Sequence, residues 1–157
     1  MARIKIELPV SFPFTAIIPI RITDINYGGH VGNDTVLSVI HEARMQFLHQ
    51  FGYTEMNFAG VGMIMSDVAI EFKSELFYGD IVKVSVAIVS ISKVAFELCY
   101  KIEKEVNKNI VFIIKSFIES SRHNKICHQD KYISNSPRWR AFVTRAIPHT
   151  INSTSLP

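Results

Sequence analysis

The chain has 157 residues, 48% of them hydrophobic and 20% charged, enough apolar material for one self-sufficient core and too little net charge for a disordered chain. Seventeen basic against fourteen acidic side chains leave a formal charge of +3, which suits an anionic ligand but supplies no concentrated basic stripe of the kind nucleic acids select. Two cysteines, Cys99 and Cys127, stand in no metal-ligand spacing, and both are expected to be reduced thiols, Cys99 packing inside an apolar run.

At the N-terminus, Ile4, Ile6 and Leu8 alternate with Lys5 and Glu7, which predicts a short strand, and Pro9 and Pro13 interrupt before a signal-peptide core can form. No segment approaches the ~20 apolar residues of a membrane span, so the reading is a soluble, cytoplasmic protein with no membrane span. Residues 14–23 are rich in β-branched side chains and predict the first main strand, with Pro19 marking an edge or a bulge.

A loop crowded with polar groups and with Gly28, Gly29 and Gly32 follows. From Asp34 to Phe51, apolar residues recur at Val36, Leu37, Ile40, Ala43, Phe47, Leu48 and Phe51, a helical spacing that Gly52 ends and that Asn33 or Asp34 can cap. Val39 and Met45 widen the apolar face, so the helix is expected at the centre of the fold, gripped by a sheet. Past a loop at 53–61, segments 62–73, 80–91, 93–104 and 109–120 read as strands. Turn signals at Tyr78-Gly79-Asp80, at 90–93 and at Asn107-Lys108-Asn109 make the connections short, hence antiparallel. One helix and about five main strands define an α+β domain. Ser136-Pro137 opens a short helical pattern before Arg138, Trp139, Phe142 and Val143, the domain is taken to span 1–147, and 148–157 reads as a flexible tail with little to pack.

Asp24, Asn26, Gly29, His30, Val31 and Asn33, followed on the helix by Glu42-Ala43-Arg44, resemble the signature of the 4-hydroxybenzoyl-CoA thioesterase-like acyl-CoA thioesterases, roughly D-x-D-x-x-G-H-V-x-N and then E-A-R. The resemblance covers roughly residues 14–120. It implies the hotdog fold, an antiparallel sheet wrapped around one long helix, and a homodimer or homotetramer in which two chains continue the sheet. It also implies hydrolysis of an acyl-CoA thioester to a carboxylic acid and free CoA, with no metal and no cofactor. The departure is Asn26, which stands where the family usually carries its catalytic aspartate.

Thioester hydrolysis needs a carboxylate to attack or to activate water, and donors aimed at the developing oxyanion. An amide can orient or polarise but cannot take a proton, so Asn26 and His30 are assigned to orientation and the carboxylate is sought elsewhere. Asp67 is the choice, a charge inside the apolar strand 62–73, which the resemblance implies is supplied to the cleft by the neighbouring chain; its plain alternative is a hydrogen-bonded residue at a sheet edge. Tyr27, Gly29, Asn33 and Asp34 are the expected substrate contacts, the amides at the helix start serving the oxyanion. Asp24 is read as a brace for the loop, and Glu42 and Arg44, pointing to opposite sides of the helix, as mainly structural. Met56, Met63, Met65, Phe58 and Phe77 suit either an acyl pocket or, more simply, the core. If nothing replaces the missing aspartate, the chain binds an acyl-CoA without cleaving it; a hotdog hydratase or dehydratase is the weaker rival.

Overall fold

A computed structural model describes residues 5–58, 60–92, 95–105, 107–121 and Phe142. In chain order the elements are β1 (Phe14–Pro19), a 3-10 turn (Ile22–Asp24), α1 (Asn33–Gln50), β2 (Gly62–Phe72), β3 (Ile81–Ile91), β4 (Ala95–Lys104) and β5 (Ile110–Ser121). The strands form one antiparallel sheet in the order β1-β3-β4-β5-β2, so β1 and β2 are its two edges. Pro19 closes the edge strand β1, where a missing N–H breaks no interior ladder.

The helix ends as the sequence predicts. Gly52 takes a φ of +76°, its N–H donates to the His49 carbonyl, and the Tyr53 N–H donates back to Leu48, the paired bonds of a glycine-terminated helix. Its start differs: Gly32 is the N-cap and no side chain caps the turn, so the role expected of Asn33 or Asp34 is not taken. Both lie inside the first turn, past the N-cap position.

One face of the sheet packs on α1. Val36, Val39, Ile40, Ala43, Phe47 and Leu48 of the helix meet Ala16, Ile18, Val82, Val84, Val86, Ile88, Leu98, Tyr100, Ile102 and Ile114 in a continuous core. Phe47 is fully buried, edge-on to Phe14, Phe51 and Phe142, and truncating such a residue costs about 3–5 kcal/mol. Phe58 also belongs to this core, and Met63 and Met65 pack against it, while Met56 and Phe77 are exposed.

The N-terminal strand is not formed. Residues 5–13 are irregular, the Ile6 N–H donates to Glu71 at 3.3 Å and the Phe12 ring lies 5.3 Å from the Lys101 ammonium. Glu71 and Lys101 share a row across the outer face of the sheet with Ile113 and Ser85, so the segment crosses that face instead of adding to its edge. Prolines at 9 and 13 remove two of the N–H groups a ladder would need. Cys99 is fully buried on the same face and burial pushes its thiol up to about 11, Lys115 opposing and Glu97 adding to the shift. It packs as a small hydrophobe, as its apolar setting predicts. The expected helix after Ser136-Pro137, the tail 148–157 and Cys127 lie outside the described residues, apart from Phe142, which packs into the core.

Candidate active site

The loop between β1 and α1 is tied together by its own polar groups. Asn26 Oδ1 accepts the Gly28 N–H at 2.8 Å, the Asn26 carbonyl accepts the Gly29 N–H at 3.0 Å, and the Asn26 N–H donates to the His30 carbonyl at 2.9 Å. Since an N–H can only donate, the oxygen of the Asn26 amide faces Gly28 and its NH2 group is the donor directed away. Gly29 sits at a φ of +81°, a left-handed turn position that a residue with a Cβ enters with strain. Asp24 braces the loop as expected: its carboxylate accepts the Arg21 N–H at 2.7 Å and its carbonyl the Gly32 N–H at 3.3 Å.

His30 is half-buried, with Nδ1 at 3.1 Å from the Val31 carbonyl. A carbonyl only accepts, so Nδ1 carries the proton of this bond and Nε2 of the neutral ring keeps its lone pair. That nitrogen flanks Gly28: a Cβ added there would stand 3.2 Å from His30 Nε2 and 3.1 Å from Asn26 Oδ1. Gly28 therefore keeps open the space between the two polar groups. Gly32 does the same for Asp34, whose carboxylate oxygen occupies the volume a Cβ would take.

The second wall comes from the residues after β2. The Val31 N–H donates to the Leu76 carbonyl at 2.9 Å, and the N–H groups of Lys73 and Ser74 both point to the Val111 carbonyl. Between these walls lies a cleft of about 350 Å³ lined by His30, Val31 and Asn33 from the loop and helix start and by Phe72, Lys73, Ser74, Glu75, Leu76 and Phe112 opposite. Asn33 opens α1, and with no side-chain cap the first amides of the helix are donors without an intrahelical acceptor. The floor is apolar, through Leu76, Phe72 and Phe112, and the rim carries Lys73 and Glu75.

Of the residues expected from the sequence, His30 and Asn33 line this cleft and Asn26 stands behind His30 across Gly28. Tyr27 is fully exposed and Gly29 exposed, and neither they nor Asp34 line the cleft. Asp67 is elsewhere. It pairs with Phe117 in the row that Phe117 shares with Glu97, whereas the flanking Val68 pairs with Ser116 in a row with Leu98 of the core, so Asp67 is on the outer face of the sheet. It also lies roughly 17 Å along the strand from Phe72. Glu75, the carboxylate the structure does bring to the cleft, is not among the residues expected from the sequence, because nothing local shows that residues 73–76 fold back against Val31.

Glu42 and Arg44 diverge as the helical period requires. Glu42 is exposed and accepts from Gln46 at 2.7 Å; Arg44 is buried and ion-paired with Glu55, which also meets His41 Nε2 at 2.9 Å. Burial opposes the Arg44 charge, but Tyr100 and Glu55 outweigh it and hold its pKa above the ordinary value. Burial in turn pushes the Tyr100 hydroxyl upward against the pull of Arg44 and Ser116. This buried group ties the 53–61 loop to the helix and is structural. Among the described residues no cluster of three or more His, Cys, Asp and Glu is placed to hold a metal ion, and no helix is long and apolar enough to cross a membrane.

A sheet wrapped on one helix, with a glycine loop and an uncapped helix start at its mouth, defines the class, and sequence comparison agrees. The family model of the thioesterase-like superfamily matches residues 20–128, and the chain belongs to that superfamily. No curated protein sequence matches it. Among solved structures it resembles a 1,4-dihydroxy-2-naphthoyl-CoA thioesterase from Synechocystis, with a TM-score of 0.64 and 20% identity over 68% of this chain and 80% of that one. A DHNA-CoA thioesterase from Staphylococcus aureus superposes at 0.65 with 17% identity over 71% and 75% of the two chains. A predicted thioesterase from Bacillus stearothermophilus reaches 0.69 with 17% identity over 86% and 96%. The fold is the hotdog fold that the loop signature implies.

Proposed function

We propose that the protein is an acyl-CoA thioesterase, hydrolysing the thioester to a carboxylic acid and free CoA in the cleft between the glycine loop and residues 72–76. One observation carries the reading: uncapped helix-start amides at Asn33 and the ring of His30 meet in one apolar-floored cleft. The amides suit the thioester carbonyl, whose oxygen gains charge as the tetrahedral intermediate forms; such donors are worth several kcal/mol in the transition state. With its Nδ1–H given to the Val31 carbonyl, the imidazole form of His30 has Nε2 to accept a hydrogen bond from water. Asn26 has its oxygen committed to Gly28 and orients through its NH2 group. The apolar floor suits an acyl group, and the family relationship supports CoA as the carrier.

The chain acts as a homodimer in this reading. β2 is an 11-residue edge strand with an exposed Ile64; its Met63 N–H is bonded to the Glu55 carbonyl, and beyond that, among the described residues, no strand pairs with its outer side, a long edge that isolated proteins avoid leaving bare. Pairing of two β2 strands would continue the sheet.

The test is a panel of aromatic and aliphatic acyl-CoAs with detection of free thiol. Saturable thiol release from at least one member is expected. Ligand-induced thermal stabilisation across the panel with no thiol released would instead identify an acyl-CoA-binding protein, the outcome that the loss of an aspartate at position 26 makes the natural competitor.

A further inference from the structure

Resting on the thioesterase reading, we infer that Glu75 is the carboxylate that activates water, taking the place of the side chain that Asn26 cannot be. Three titratable side chains line the cleft: His30, Lys73 and Glu75. Lys73 is engaged by Glu71, its ammonium 2.6 Å from Oε1. Glu75 is exposed and, among the described residues, its carboxylate is in no ion pair or side-chain hydrogen bond, so its oxygens are available as acceptors. That contrasts with the nearest carboxylates along the chain. Glu71 also accepts the Ile6 N–H, and Asp80 is shared between Lys104 and the Phe77 N–H.

An unengaged carboxylate on a loose loop would mean little, but the backbone carrying Glu75 is held on both sides. Ser74 and Lys73 are bonded to Val111, Leu76 is bonded to Val31 and buried, and Phe77 is bonded to the Asp80 side chain. The segment is thus fastened to β5, to the glycine loop and to the turn before β3, while Glu75 keeps its side chain free at the cleft wall. The same Leu76–Val31 bond sets Glu75 one residue from the strand-like contact that positions His30, so acid and imidazole are fixed relative to each other by main chain. Asp67 has no comparable route. It is on the outer face, and extending the sheet through a second copy keeps inner and outer faces distinct.

In the step this assigns, the Glu75 carboxylate takes a proton from water as the water oxygen bonds to the thioester carbonyl carbon, and the carbonyl electron pair moves onto oxygen facing the helix-start amides. Collapse restores the C=O bond and breaks the C–S bond. The sulfur leaves with the electron pair and receives the proton held by Glu75, giving the carboxylic acid and the thiol.

The experiment compares wild type, E75Q, E75D and D67N on the acyl-CoA the wild type turns over, across pH. A positioned general base contributes roughly 100- to 10,000-fold. E75Q should lose turnover in that range with KM little changed and should lose the acidic limb of its pH profile; E75D should recover part of the rate, and D67N should match wild type. Unchanged melting of E75Q is expected, because among the described residues the side chain makes no ion pair or hydrogen bond. Wild-type turnover with E75Q within a few-fold of it, or an acidic limb that persists in E75Q, overturns the assignment and leaves the thioesterase reading intact. Absence of thiol release from wild type on every acyl-CoA overturns both.

Discussion

Gly28 shows how a single missing methyl group can hold a site open. Its backbone is in an ordinary conformation, so an alanine there meets no torsional penalty; the obstacle is that its Cβ would press on Asn26 Oδ1 and His30 Nε2 at 3.1 and 3.2 Å. The prediction for G28A is a folded protein with a displaced imidazole, whose kcat falls about tenfold or more because small errors in placement are expensive in the transition state. A parallel loss of thermal stability would instead mean that the loop, and not the ring, had given way. At this scale the sequence was informative about Asp24, Asn26, His30 and Asn33, since turn formers and glycines specify local hydrogen bonds that need no distant partner. It was silent on Glu75. A carboxylate becomes a candidate through what it faces, and residues 73–76 face Val31 only after β2 has crossed the sheet.

Among the elements, the turn before β3 has the most to do with holding the cleft's shape. Asp80 accepts from the Phe77 N–H at 2.9 Å and from Lys104 at 2.8 Å, and its carbonyl accepts from Ile20 at 2.8 Å, so one residue joins the cleft wall, β4 and the end of β1. Partial burial alone would raise its pKa, but Lys104 and the Phe77 N–H together bring it below the ordinary value. A carboxylate depressed in the folded state is stabilising above its unfolded pKa of about 3.9, and that contribution fades as the pH falls through the lower folded value. D80N should therefore cost about 1 kcal/mol at neutral pH, solvent screening the pair, and less as the pH falls below the ordinary carboxylate range. Denaturant melts at pH 7 and pH 3 check this, equal losses at both arguing that the charge is irrelevant. The same scale holds the largest departure from sequence expectation. Alternating Ile6 and Leu8 resemble a strand, yet an edge is won by whichever segment supplies a full ladder, and the prolines leave residues 5–13 to cross the outer face instead.

For the molecule as a whole, the apolar periodicity of α1 and the short connections between strands made an antiparallel α+β domain legible, with boundaries within a few residues of those observed. Strand order was not legible, because β2 reaches β5 across the sheet and no local signal encodes a pairing so distant in sequence; the loop signature supplied only the wrapped-helix arrangement, by resemblance. The face of Asp67 was likewise hidden by the register shift between Met65 and Asp67, which changes which side of β2 each later residue occupies. The proposed pairing of two β2 edges predicts a particle with the mass of two chains in sedimentation equilibrium at micromolar concentration. A monomer there would remove the sheet-continuing assembly while leaving the cleft, which one chain builds by itself. The most direct measurement of the central claim is a crystal structure with a ketone analogue of the acyl-CoA that is turned over, in which a methylene inserted between carbonyl and sulfur keeps the carbonyl and removes the cleavable thioester. The account predicts its carbonyl oxygen against the first amides of α1, with His30 and Glu75 on the side from which water arrives. Density for the acyl carbonyl at any other place on the protein, with the cleft beside His30 unfilled, would contradict it.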